Sequence, residues 1–349
     1  MLQERIEGKW LAAFRRVLAL NGIGKGTQIA ILSETQSRPV LVHLCELAAY
    51  DLGADFCMIQ MPAPPQSTPV PVKPTGTSWA IAGNRAVIEA LKLVDVIVDC
   101  TVEGIIHAPE WPEIEEAGRT RLLVITNEHP EILERTEPKA ERWPKVELGI
   151  QMLREASEMR VTSALGTDLT ITLKGAPCGG TAGFATTPGA VAHWPGSLCL
   201  AFPGQHAVNG RIVMGVGDMN LTFKTCLTSQ IDFTIEDDFV TAIKGDGIDA
   251  LHIREYLAAW EDRNAYGMSH VGWGMHPGAK WVSAAMYGKR DMQAVQFRAL
   301  SGSFLWSTGA NQYAGRFTQG HFDLPMRNCT IALDGRVVVK DGILQGDLA

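Results

Sequence analysis

The chain has 349 residues, of which 46% are hydrophobic and 20% charged. That length suits about two domains with cores of their own and excludes a disordered chain. The net charge of −7 opposes nucleic-acid binding, which calls for a basic patch, and fits a protein acting on small molecules.

Seven cysteines are scattered without a C-x-x-C pair, so neither a zinc ribbon nor a thioredoxin-like site is expected. Those in apolar stretches, such as Cys57 and Cys199, read as buried thiols. No apolar run approaches the ~18 residues of a membrane span. Met1–Arg5 carries charge where a signal peptide needs an apolar run. The expectation is a cytoplasmic protein with no membrane and no nucleic acid among its partners.

In chain order, Ile6, Trp10, Leu11, Phe14, Val17 and Leu18 recur at helical spacing within residues 3–20, and Asn21-Gly22 supplies a stop. A strand follows at Ile29–Leu32, then a helix over 39–52 ending at Gly53. Phe56–Met61 reads as a strand running into a proline-rich loop, Pro62–Pro74. A helix near 84–93 and strands at Val94–Cys100 and Arg121–Ile125 complete the first half. Apolar strands alternating with helices predict a mostly parallel sheet covered on both faces, a Rossmann-like α/β domain over residues 1–155. Gly22, Gly24 and Gly26 precede the first strand, whereas a phosphate-cradling glycine loop must follow one, so they read as a turn. No Walker A sequence and no G-x-S-x-G nucleophile elbow occurs.

Beyond residue 155 the pattern changes. Alternating runs such as Leu169–Leu173 and apolar ones such as Val337–Val339 are bounded by Gly, Asp and Asn. One helix, around 247–260, interrupts them. Residues 156–349 therefore read as a largely antiparallel β domain that carries the site, giving an α/β plus α+β chain.

Nine histidines are present. His43, His129, His206 and His252 fall in helical or turn-like sequence and read as structural or surface residues. His321-Phe322-Asp323 differs: in an extended segment, period two places His321 and Asp323 on one face. An imidazole and a carboxylate so placed are two corners of a metal site, or simply hydrogen-bonded partners. A second histidine would complete the facial triad that holds non-haem Fe(II) with open positions. The segment Tyr266–Pro277 offers His270 and His276 in what reads as a glycine-rich loop, where glycine permits close backbone approach. His276 precedes Pro277 and is biased toward extended backbone. Ala192-His193-Trp194-Pro195 sets a titratable group beside a rigid aromatic, and Ser303–Gly309 ends an apolar run with hydroxyls. Both read either as pocket walls or as packed turns.

Three stretches, Tyr266–Trp281 (YGMSHVGWGMHPGAKW), Gly302–Asn311 (GSFLWSTGAN) and His321–Cys329 (HFDLPMRNC), make the chain resemble the 2,5-dihydroxypyridine 5,6-dioxygenases, which share a fold with the thermophilic metallo-aminopeptidases. The likeness extends more loosely over nearly the whole chain, including Ile105-Ile106-His107 and His193-Trp194-Pro195. It implies one Fe(II) per chain held by His270, His321 and Asp323. It further implies His193 as the proton-transfer group, His107 as a second catalytic histidine, and Ile106 and Ser307 at the substrate. The family carries a glutamate twelve residues before the His-Trp-Pro histidine; Thr181 stands there in this chain, which bears on the ring substituents accepted. The implied reaction opens a hydroxypyridine with O2 next to nitrogen, giving an N-formylmaleamic acid, in nicotinate or picolinate breakdown. Self-association into a homo-oligomer is a further expectation.

Three other readings stand beside this one. A two-metal aminopeptidase needs bridging carboxylates, and the motifs offer only Asp323. A 2-oxoglutarate-dependent oxygenase places H-x-D before its second histidine, the reverse of the order here. A binding protein that kept the fold without turnover would hold no metal.

Overall fold

The computed structural model describes residues 3–65 and 76–349; most of the expected proline-rich loop lies outside them. Five parallel strands run in the order Asp55–Met61, Gln28–Glu34, Val96–Asp99, Arg121–Ile125 and Val191–Trp194. Alternation along these strands divides two cores. Ile29, Ile31, Val96, Val98, Leu123 and Ile125 face one side, against Trp10, Phe14 and Leu18 of the helix Gly8–Leu20 and Leu41 and Leu44 of the helix Pro39–Asp51. Ala30, Leu32, Ile97, Leu122 and Val124 face the other, against Ile88 and Leu91 of Arg85–Lys92 and Trp111 and Ile114 of Trp111–Glu116. Both faces being covered explains why the strands read as continuous apolar runs. Gly22 and Gly26 adopt positive φ in the turn before the first strand, as expected.

The division expected near residue 155 is crossed by the chain, because the fifth parallel strand, Val191–Trp194, comes from beyond it. Two large antiparallel sheets form most of the rest, beside a two-stranded one that pairs Met219–Asn220 with Thr225–Cys226. One has eight strands, with Val208–Met214, Asp168–Thr172, Glu158–Ser163 and Cys329–Leu333 at its centre. The other has five, in the order Arg316–Met326, Phe304–Asn311, Met268–Gly274, Leu198–Ala201 and Cys178–Thr181. They share one core, in which Phe233 of the first meets Trp306 of the second at 5.0 Å between ring centroids. The expected helix appears as Ile248–Ala259. Among the described residues no helix is long and apolar enough to cross a membrane.

The segment around His270 is a strand, Met268–Gly274, and not the loop its glycines suggested. Those glycines serve close approach between strands: a Cβ on Gly272 would lie 2.0 Å from the Cys199 carbonyl oxygen. The His193 and Ser307 segments are likewise strands rather than turns.

Candidate metal centre

Period two holds in the strand Arg316–Met326. Phe322 enters the core against Tyr256 and Phe223, with centroids 4.9 and 5.5 Å away, while His321 and Asp323 share the opposite face. Pairing with Phe304–Asn311 sets Ser307 opposite Asp323 and Gly309 opposite His321. A Cβ on Gly309 would lie 1.9 Å from the Gly320 carbonyl oxygen, and its φ is +114°, so this close crossing requires glycine. On the other side, Met268–Gly274 pairs with Phe304–Asn311 through a register shift between Met268 and Val271. A bulge of this kind re-aims a side chain, and the residue re-aimed here is His270. Its Nε2 lies 3.6 Å from Asp323 Oδ1, and Nε2 of His321 lies 3.3 Å from the same oxygen. The other Asp323 oxygen accepts a hydrogen bond from Arg298 at 3.2 Å. Ser307 Oγ stands 2.7 Å from Nδ1 of His270 and 3.0 Å from its backbone oxygen.

The parallel sheet supplies the facing wall at the carboxyl ends of its strands, where open α/β sheets bind ligands. Asp99, at the end of Val96–Asp99, accepts hydrogen bonds from Thr101 N, Thr101 Oγ1 and Ile105 N at 2.7–2.9 Å. The loop so anchored delivers Ile106 and His107. His107 N donates to Gly76 O at 2.7 Å, and the His107 ring lies 4.4 Å from that of His321. Ligand nitrogens of His107, His270 and His321 all lie within 4.8 Å of one another. His193, in the fifth parallel strand, is buried beside them.

Burial sets the protonation of the cluster. It depresses His107, His193 and His270 below the usual imidazole range, His270 to about 3; neighbouring imidazoles or the Arg298 guanidinium push the same way, and only Asp323 opposes. Burial disfavours ionised Asp323, but His321, His270 and Arg298 outweigh it and hold the carboxyl far below its ordinary value. The outcome is neutral imidazoles at His107, His193 and His270 beside an ionised carboxylate, the protonation that metal ligation requires. Among the described residues, both ring nitrogens of His321 and Oδ1 of Asp323 are buried without a hydrogen-bond partner. Such orphaned atoms call for an explanation, and a divalent cation supplies one. Two imidazoles and a carboxylate leaving room for further ligands fit non-haem Fe(II).

Two cavities meet at this cluster. The inner one, about 50 Å³, is lined by His107, His193, His270, Arg298, Phe202 and Gln293, among others. The outer one, about 560 Å³, continues it toward the surface past Ile106, Thr181, Phe202 and Tyr313, and lies within the ~300–1,000 Å³ of ligand pockets. Ile106, His107, His193, His270, His321, Asp323 and Ser307 therefore converge, and Thr181 lines the approach, its hydroxyl accepting from Gly183 N at 2.9 Å. His276 stays apart, its ring held between Gly278 N at 2.9 Å and the Arg142 guanidinium at 2.8 Å. His43 and His252 are exposed, His206 pairs with exposed Asp237, and His129 caps the helix Pro130–Arg135.

Sequence reasoning missed Arg298, Gln293 and Gly76. A lone arginine in the apolar run Val295–Leu300 was a usable signal, because buried arginine needs a partner. Gln293 links Asn127 N to Glu103 by hydrogen bonds of 2.7 and 3.2 Å, and no local pattern marks it. Gly76 presses on His107: a Cβ there would lie 2.7 Å from His107 Cδ2.

The model of the NicX family, 2,5-dihydroxypyridine 5,6-dioxygenase, matches residues 9–346. The 2,5-dihydroxypyridine 5,6-dioxygenase of Pseudomonas putida is 33% identical over 333 residues, 94% of each chain. A solved structure of 2,5-dihydroxypyridine dioxygenase from Pseudomonas putida KT2440 superposes with a TM-score of 0.91 at 31% identity, covering 100% of this chain and 99% of that one. Wild-type AmpT from Thermus thermophilus superposes with a TM-score of 0.66 at 14% identity, covering 97% and 99%, a likeness of fold alone. A protein whose buried histidines and carboxylate converge below a ligand-sized cavity, and whose length is matched almost end to end in this way, belongs to the 2,5-dihydroxypyridine 5,6-dioxygenase family.

Proposed function

We propose that this chain is an Fe(II)-dependent, extradiol-type dioxygenase that opens 2,5-dihydroxypyridine, or a close hydroxypyridine, between C5 and C6. Ring and O2 combine into N-formylmaleamic acid, with both oxygen atoms retained in the product. The observation that carries this reading is the convergence of His270, His321 and Asp323, with His270, His193 and His107 lining the inner cavity. Those first three residues would hold one iron per chain. Bound Fe(II) would supply open positions where the ring oxygen and O2 meet, replacing a bimolecular encounter by a held one.

The remaining work falls to the protein. His193 Nδ1 is buried without a hydrogen-bond partner among the described residues, and its imidazole is neutral because burial depresses its pKa. It accepts the ring hydroxyl proton as the ring gains electron density and returns it as the ring opens. His107 and Ile106 border both cavities and would orient the ring. Phe202, 5.7 Å from the His270 ring, helps exclude water. Thr181 stands uncharged in the approach, so the ring accepted carries no substituent that requires a carboxylate at that position.

The test is anaerobic loading with Fe(II) followed by O2 uptake with 2,5-dihydroxypyridine. One O2 consumed per ring lost, without 2-oxoglutarate, is expected. No uptake with one iron bound would exclude this ring and turn attention to Thr181. Two metals bound without uptake would replace the reading by a metallo-aminopeptidase. His193→Ala should keep its iron and lose turnover, and full turnover would refute the proton-transfer role.

A further inference from the structure

Ser307 was expected at the substrate, but its fully buried hydroxyl has both its close partners on His270: Nδ1 at 2.7 Å and the backbone oxygen at 3.0 Å. His270 falls within the register shift between Met268 and Val271, and its pairing with Leu198–Ala201 begins only at Val271. His270 thus has no register partner on either side, and its backbone oxygen, which can only accept, lies 3.0 Å from the Ser307 hydroxyl, which can donate to it.

A serine hydroxyl has a single proton. With that proton on the carbonyl, Oγ can meet Nδ1 only as an acceptor, so Nδ1 carries the imidazole hydrogen and Nε2 keeps its lone pair. The reverse arrangement, with the hydroxyl donating to Nδ1, leaves two oxygens 3.0 Å apart with no proton between them. It also puts hydrogen on Nε2, which would then point toward Asp323 Oδ1 and leave no lone pair there for a metal. The bulge and the serine therefore act together: the bulge presents His270 to Ser307, the carbonyl orients the hydroxyl, and the hydroxyl selects the tautomer.

We propose that Ser307 is a positioning residue that fixes His270 in its Nδ1-protonated tautomer, leaving Nε2 free to bind the metal. The inference rests on the proposed metal site. It differs from a role at the ring, because Ser307 then acts through His270 and governs metal affinity before any substrate enters.

The test uses the full chain with its histidines labelled with 15N, prepared without metal. Long-range ring correlations are expected to show His270 protonated on Nδ1 in the unsubstituted protein and on Nε2, or on both in exchange, in Ser307→Ala. Anaerobic Fe(II) titration should show the alanine variant binding about 10–100-fold more weakly, with Ser307→Thr, which keeps the hydroxyl, restoring most of the loss. An Nε2-protonated His270 in the unsubstituted protein overturns the proposal, whether or not the alanine variant folds. So does an alanine variant with unchanged tautomer and iron affinity but a raised KM, which would return Ser307 to the ring. The tautomer is read without metal, so failure of iron to bind would count against the proposed metal site and leave the Ser307 assignment to be decided by the ring correlations.

Discussion

Asp323 gives one oxygen to Arg298 and turns the other toward Nε2 of both His270 and His321. Removing the carboxylate therefore has two separable effects. Asp323→Ala should abolish iron binding, and it should also destabilise the fold by about 3–5 kcal/mol, because a buried guanidinium is left unpaired. Adding Arg298→Met should restore the urea midpoint and leave iron binding absent. His107 is the competing third corner, since its nitrogen lies within 4.8 Å of those of His270 and His321. His107→Ala should keep one iron per chain and lose turnover. Metal content decides between them: iron lost from the His107 variant and kept by the Asp323 variant would make the site a triad of histidines. At this scale His321 and Asp323 were legible because period two needs only an extended backbone. The choice of His270 over His276 was not legible from composition. It depends on Arg142 and Gly278 holding one ring and on a bulge presenting the other.

A glycine-rich stretch can be a turn or a strand pressed against its neighbours, and the residues alone do not separate the two. Met268–Gly274 and the crossing at Gly309 are of the second kind. Gly309 and Gly335 both have positive φ, at +114° and +83°, yet a Cβ on Gly309 would strike the Gly320 carbonyl whereas Gly335 faces open space. Gly335→Ala should cost about 1 kcal/mol, the strain of a left-handed alanine. Gly309→Ala should cost about 3 kcal/mol or more, because the strand carrying Ser307 must also move away from the one carrying His321. Iron affinity should fall with it and be untouched in the Gly335 variant. Equal losses of stability in the two variants would show that the crossing does not depend on the missing side chain. The helices Pro130–Arg135 and Trp143–Glu155 were also absent from the sequence reading; each has proline in its first turn, which reads as a loop signal unless a helix is already suspected.

For the molecule as a whole, the first four parallel strands and the change to antiparallel pairing were legible in apolar runs and period-two alternation. The return of Val191–Trp194 to the parallel sheet was not, since a four-residue strand names no partner. That return sets His193 beside His270 and makes one buried histidine cluster from both halves of the chain. The cluster has a consequence for stability against pH. Burial holds His107, His193, His270 and His276 below their ordinary value, the last two to about 3. In the unfolded chain each takes a proton near pH 6.5. As pH falls below that point the unfolded state binds protons that the native state refuses, so stability is lost toward acid, by up to about 1.4 kcal/mol per pH unit for each histidine. Asp99, Glu128 and Asp218 work in the opposite sense: burial raises their pKa values, so the native state binds protons there that the unfolded state has released. Glu115, raised by burial, and exposed His206, raised by Asp237, act with those carboxyls, but the four buried histidines take up protons in the unfolded chain across this very range, so a net loss is expected. The urea midpoint of the metal-free protein should fall from pH 6.5 to pH 5.5, and Fe(II) should shift that fall to lower pH, because ligation competes with protonation of His270 and His321. A midpoint that stayed level or rose toward acid would mean that the buried carboxyls outweigh the histidines.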